Sequence, residues 1–127
     1  GMVKRNSGHI INIGSIAGHE VYPKGNVYCA TKHAVDALTK GMRLDLVETD
    51  IRVTTIDPGL AETEFSMVRF RGDFNKAKAV YTGIQPLSAE DVADAVLYAA
   101  TRPKNVVVAE MILLANKQAS STVVHRK

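Results

Sequence analysis

A hydroxyl, a phenol and an ammonium stand in the order Ser15, Tyr28 and Lys32, thirteen and four residues apart, within the run HIINIGSIAGHEVYPKGNVYCATKHAVDALTKG. Residues at i and i+4 of a helix share a face, so Tyr28 and Lys32 would present a phenol and an ammonium to one cleft. Free tyrosine titrates near ~10, and a neighbouring cation favours its charged form. Lowering the pKa by ~2–3 units needs roughly 3–4 kcal/mol of differential interaction. A close ammonium in a partly desolvated cleft supplies energy of that order. Tyr28 would then serve as a general acid when a carbonyl is reduced and as a base when an alcohol is oxidised. Ser15 would hydrogen-bond the substrate oxygen on which charge accumulates.

Three strands and two main helices must position these groups. His9 to Ile13 is nearly continuous and β-branched, which suits a strand buried in a parallel sheet. A helix is predicted from about Asn26, as N-cap, to Val47, with small residues at Ala30, Ala34, Ala37 and Gly41 and an apolar stripe finished by Leu44, Leu46 and Val47. The second strand is Ile51 to Ile56, ended by Asp57-Pro58-Gly59. From Leu60 to Ile84 the pattern is mixed and reads as short helical pieces. Ser88 with Asp91 resembles a capping box, opening a helix through Val92, Ala95, Val96 and Ala99 that Pro103 stops. The last strand is read as Val106 to Leu114, and the polar, basic tail after Ala115 as loose. Strands alternating with helices imply right-handed crossovers and a parallel sheet.

Length and composition bound the function. The 127 residues fit one domain, 46% are hydrophobic, and the net charge is +3 with basic residues scattered, which argues against nucleic acid binding. No apolar run reaches ~18 residues, so no transmembrane helix is expected. Cys29 is the only cysteine, which excludes an internal disulfide and fits a reducing cytoplasm. Its expected role is a core or interface thiol rather than a redox centre. The four histidines show no zinc spacing, and no metal is expected. Asp36 and Lys40 form an i,i+4 pair on the helix face.

A Y-x-x-x-K pair alone is weak, since chance supplies one in many chains of this length. The conjunction is stronger: Gly-Ser ends a buried strand, tyrosine opens a small-residue helix, lysine follows one turn later, and a second strand ends in Pro-Gly with Thr63 close behind. The segments N-I-G-S-I-A-G (12–18), Y-C-A-T-K (28–32) and D-P-G-L-A-E-T-E-F (57–65) resemble the classical short-chain dehydrogenase/reductase family. The resemblance implies an α/β fold. Specifically, it implies the C-terminal half of a Rossmann-like doubly wound parallel sheet, with residues 1–127 forming a partial dinucleotide-binding domain. It implies an NAD(P)-dependent oxidoreductase with Ser15, Tyr28 and Lys32 as catalytic residues. Tyr28, Lys32, Pro58, Gly59, Leu60, Thr63 and Phe65 would meet the cofactor, Lys32 at the nicotinamide ribose and Thr63 near the carboxamide. The wording from Gly59 to Gly72 is similar to the NADP-using branch that acts on serine, allo-threonine and other 3-hydroxy acids. The implied cofactor is therefore NADP, with NAD left open. On the substrate side stand Ser15, Tyr22 and either Arg69 or Arg71, whose guanidinium would meet a carboxylate in bidentate fashion.

The family's T-G-x-x-x-G-x-G turn, its N-N-A-G segment and the relay asparagine have no counterpart in these residues. Two expectations therefore stand side by side. One is an oxidoreductase moving hydride between NADP(H) and a small hydroxy or carbonyl compound, assembled as a homo-oligomer. The other is a truncated, catalytically silent piece that acts by association, its lone chain inactive. An epimerase or dehydratase on a nucleotide-sugar scaffold shares Y-x-x-x-K, but the Pro-Gly-x-x-x-Thr segment favours the dehydrogenase branch.

Overall fold

The computed structural model describes residues 1–127. A short helix α1 (Met2–Arg5) leads into β1 (Gly8–Ile13), a 3₁₀ turn (Ile16–Gly18), α2 (Asn26–Asp45), β2 (Ile51–Pro58), α3 (Phe65–Arg69), α4 (Phe74–Ala79), α5 (Ala89–Ala100) and β3 (Glu110–Leu113). The strands form one parallel sheet in the order β1-β2-β3, with Ile10 opposite Val53, Asn12 opposite Thr55 and Ile56 opposite Met111. The parallel α/β architecture expected from the alternation is the one present.

Side chains alternate across a strand, so β2 presents two faces to two helices. Ile56 is fully buried on one face with Ala95 and Ala99 of α5, flanked by Ile11, Val92, Val96 and Met111. The opposite face mixes buried Ile51 and Val53 with polar groups: Asn12 donates to Thr39 of α2 at 2.8 Å, and Arg43 reaches the Val53 carbonyl at 3.3 Å. Alanines on α5 and hydrogen-bonding residues on α2 let each helix approach the sheet closely. No helix is long and apolar enough to cross a membrane.

Several boundaries differ from the sequence expectation. Gly25, not Asn26, caps α2, because the Gly25 carbonyl already accepts from the Cys29 N–H at 2.8 Å. The helix ends at Asp45, and Leu44 and Val47 point outward rather than completing a buried stripe. β2 runs on to Pro58. The Thr55 and Gly59 N–H groups face the β3 side, so the Pro58 nitrogen falls on the β1 side, beyond the last rung from the Gly14 N–H to the Ile56 carbonyl. β3 is only four residues long. Upstream of it, the Val106 carbonyl goes to Arg52, and the Ala109 carbonyl is shared between the Thr55 N–H and Arg43.

The tail is also tied down rather than loose. Gln118 is buried and its Oε1 accepts from the Leu60 N–H at 2.9 Å. Arg126 donates to the carbonyls of Val80 and Thr82, and the Lys127 N–H donates to the Gly83 carbonyl. The capping box forms as expected: the Asp91 N–H donates to Ser88 Oγ and the Ser88 N–H to Asp91 Oδ2.

Replacing Ile56 by Ala empties the middle of the α5 interface. The expected cost is about 2–5 kcal/mol, read as a lower urea midpoint with an unchanged slope.

Candidate active site

The site lies at the C-terminal ends of the parallel strands, where open α/β sheets place their ligands. β1 stops at Gly14 because Asp57 of β2 crosses there: a Cβ on Gly14 would run into the Asp57 carboxylate and the Thr55 hydroxyl. The next residue, Ser15, is buried and extended; its Oγ accepts from the Ala17 N–H at 3.1 Å, capping the 3₁₀ turn, and faces the Pro58 carbonyl at 3.4 Å. Gly18 lets that turn lie against the Lys32 backbone of α2. The strand end, the turn and the first turns of α2 are thereby packed as one unit.

Ser15, Tyr22, Tyr28, Gly59, Leu60, Phe65 and Arg69 line a single cleft of about 230 Å³. Tyr28 is half-buried, its ring 5.4 Å from the Phe65 ring. Arg69 donates to the Tyr22 hydroxyl at 3.1 Å. Ser15 and Tyr28, predicted from spacing, therefore do meet, and Arg69 joins them. Arg71 does not: it is exposed, with a left-handed φ of 53°, in the turn after α3 and outside the cleft. Thr63 is exposed, accepts from the Phe65 N–H at 3.2 Å, and lines a separate hollow with Met67 and Phe74. Pro58 is buried and meets the cleft only through the carbonyl facing Ser15.

Lys32 shares Tyr28's side of the helix, its Nζ 5.9 Å from the phenol ring centre. It does not line the cleft; it donates to the Ile13 carbonyl at 3.0 Å. The Gly14 N–H faces β2, so the Ile13 carbonyl faces the outer edge of β1, and Lys32 satisfies it there. The expected lowering of the Tyr28 pKa by Lys32 is not found. Burial raises the phenol above its ordinary value, and the opposing pull comes from the Ser15 hydroxyl and then the Arg69 guanidinium. Burial lowers the Lys32 pKa, partly offset by the Asp57 carboxylate.

Sequence reasoning missed four polar cleft residues, Ser66, Tyr81, Gln118 and Ser121. Tyr81 donates to the Ala61 carbonyl at 3.0 Å, so the 2.7 Å contact with Ser66 has the serine donating to the phenol oxygen. Gln118 and Ser121 come from the tail, and the Ser121 N–H donates to the Glu20 carboxylate at 2.8 Å. Glu20 itself stands outside the cleft wall. No local pattern marks any of these residues, because each works through a partner distant in the chain.

Residues 1–73 match the short chain dehydrogenase family. The chain is 47% identical over 123 residues to an NADP-dependent 3-hydroxy acid dehydrogenase of Schizosaccharomyces pombe, covering 97% of this chain and 48% of that protein. It is 52% identical over 107 residues to the NADP-dependent 3-hydroxy acid dehydrogenase YdfG of Escherichia coli, covering 84% and 43%. Among solved structures it is similar to the closed form of a serine dehydrogenase complexed with NADP+, with a TM-score of 0.92 and 46% identity over 99% of this chain and 52% of that one. The chain spans about half the length of the curated relatives it matches.

The raised Tyr28 pKa has a direct consequence. The folded protein holds this proton past the ordinary 10.0, so its stabilising contribution is complete below that pH and is lost as pH rises through the folded value. An ultraviolet difference titration of the protein against its Tyr28→Phe variant is expected to show this phenol ionising above free tyrosine.

Proposed function

The chain belongs to the short-chain dehydrogenase family, and from that premise we propose that it serves an NADP-dependent oxidoreductase acting on small 3-hydroxy acids or their 3-oxo partners. The observation that carries this reading is the convergence of Ser15, Tyr28 and Arg69 on one cleft at the C-terminal ends of the strands. The names of the relatives, NADP-dependent 3-hydroxy acid dehydrogenases and a serine dehydrogenase, support the cofactor and the substrate class.

The residues present suit the nicotinamide end of a dinucleotide. Beside the phenol the wall is backbone and apolar surface from Gly59, Leu60 and Phe65, which fits a flat ring, and Lys32 stands behind with an ammonium that suits ribose hydroxyls. When bound, NADPH supplies the hydride that adds to the carbonyl carbon. The carbonyl oxygen then gains negative charge. Tyr28 gives its phenolic proton to that oxygen, and Ser15 donates a hydrogen bond to the same atom, so both act where charge develops. In the oxidative direction the phenolate takes the proton back. Phe65 against the Tyr28 ring keeps water off one side of the phenol. Arg69 receives the substrate carboxylate, since one bond to Tyr22 leaves most of its five donors available. Pro58 reaches the cleft only by its carbonyl, which accepts from Ser15, and Thr63 lies outside it.

Contacts to the pyrophosphate and adenosine come, on this reading, from polypeptide outside these 127 residues. Homo-oligomeric assembly is supported by apolar side chains exposed on α2, among them Val27 and Leu38.

Tyr28→Phe is expected to cut turnover by at least about a hundredfold while NADPH binding, followed by its fluorescence, persists. Turnover that survives the change would remove Tyr28 from the acid's role. Arg69→Gln is expected to raise KM for a 3-hydroxy acid by about ten- to a hundredfold, the loss of a charge-assisted pair. The KM of an alcohol lacking the carboxylate should not rise with that substitution.

A further inference from the structure

Arg69 closes α3 at the mouth of the cleft. Its guanidinium carbon lies 5.6 Å from the centre of the Tyr22 ring, 5.7 Å from that of Tyr28 and 5.9 Å from that of Phe70. The side chain is thus held among three aromatic rings, its one hydrogen bond going to a neutral hydroxyl. The ion pairs of the molecule are His19 with Asp57, Lys40 with Asp36 and Glu110, and Lys76 with Asp73. Arg69 belongs to none of them. An unneutralised guanidinium therefore stands against the phenol expected to carry the proton.

The groups facing that phenol are few. From α2 come Cys29 and Lys32, from the preceding loop Tyr22, from the 3₁₀ turn the Ser15 hydroxyl, and from α3 Arg69. The Lys32 ammonium is committed to the Ile13 carbonyl at the end of β1, outside the cleft wall. Arg69 is therefore the cation on the cleft side.

We propose that Arg69 is shared between the substrate carboxylate and the Tyr28 ring, so that filling the cleft strengthens the hold of Tyr28 on its proton. The step rests on the carboxylate clamp of the preceding section. A positive charge beside a phenol favours the phenolate, and Arg69 acts on Tyr28 in that sense even though burial dominates. A carboxylate seated on the guanidinium cancels that charge, and the titration of the phenol moves further up. Coupling of this kind is reciprocal: carboxylate affinity must fall as pH rises through the phenol's titration.

Tyrosine labelled with ¹³C at the phenol carbon makes this measurable, with the Tyr28 signal identified by its loss in Tyr28→Phe. The signal is titrated through the alkaline range with and without 3-hydroxypropionate, and binding of the acid is followed separately by calorimetry. The expected result is a Tyr28 titration displaced to higher pH by the acid. In free Arg69→Gln it should already lie higher than in the unsubstituted protein, and the acid should move it no further. Free Arg69→Lys, which keeps the charge, should titrate close to the unsubstituted protein. Should the acid bind while the Tyr28 titration stays in place, the coupling is wrong and the clamp stands. Should the acid fail to bind, or bind Arg69→Gln equally well, both fall. An equal displacement in Arg69→Gln would also overturn the proposal, since the carboxylate would then act on the phenol without the guanidinium.

Discussion

A carboxylate with almost no exposure holds the cleft end of this molecule together. Asp57 is 2% exposed, accepts from the Thr55 hydroxyl at 2.8 Å, and pairs with His19 Nε2 at 3.0 Å. Taking a charge out of water costs several kcal/mol unless its lone pairs are met, so the groups around Asp57 are constrained. Thr55 must lie on the same face of β2, His19 must follow the 3₁₀ turn at a fixed distance, and residue 14 must lack a Cβ. Once Gly14 is forced, Ser15 has one place to go, against the Pro58 carbonyl. The position of a proposed catalytic hydroxyl is thus set by electrostatics one residue away, without contact between the two side chains.

The same face explains how α2 is docked. An apolar helix on an apolar sheet can slide, because the hydrophobic effect is non-directional. Here Thr39 with Asn12, Arg43 with the Val53 carbonyl, and Lys40 with Glu110 fix both height and rotation. Tyr28 and Lys32 inherit that rotation. Burial comes from both faces: Ile51 and Val53 on this one, and Ile56 packed on Ala95 and Ala99 on the other.

What could be read from the sequence follows the range of the interactions involved. Local regularities were legible: the β-branched run of β1, the i,i+4 relation of Tyr28 and Lys32, and the reciprocal bonds of Ser88 and Asp91, each spanning four residues or fewer. The resemblance of three short segments to one family carried the fold further than periodicity did. Features closed by distant partners were not legible. Gln118 meets Leu60 across 58 residues and Ser121 meets Glu20 across 101, so a polar tail that looked solvated is part of the cleft wall. β3 was overestimated for a related reason. Val106 and Val107 have strand propensity, but carbonyls along this stretch are claimed by guanidinium groups from β2 and α2, and both valines stay exposed.

The two cations near Tyr28 show why a motif does not fix an electrostatic role. Four residues of helix put Lys32 and Tyr28 on one side, yet an ammonium goes to the acceptor it can reach, and the outward carbonyl at the end of β1 is such an acceptor. Bound there, Lys32 sits behind the phenol, its own charge opposed by burial. Arg69 comes from a short helix 41 residues further along and faces the phenol across the cleft, where a substrate would have to pass. A cation in front of the ring can be neutralised by what binds, whereas a cation behind it cannot. The aromatic residues around Arg69 make that difference possible, because they hold the guanidinium in place without offering it a counter-charge.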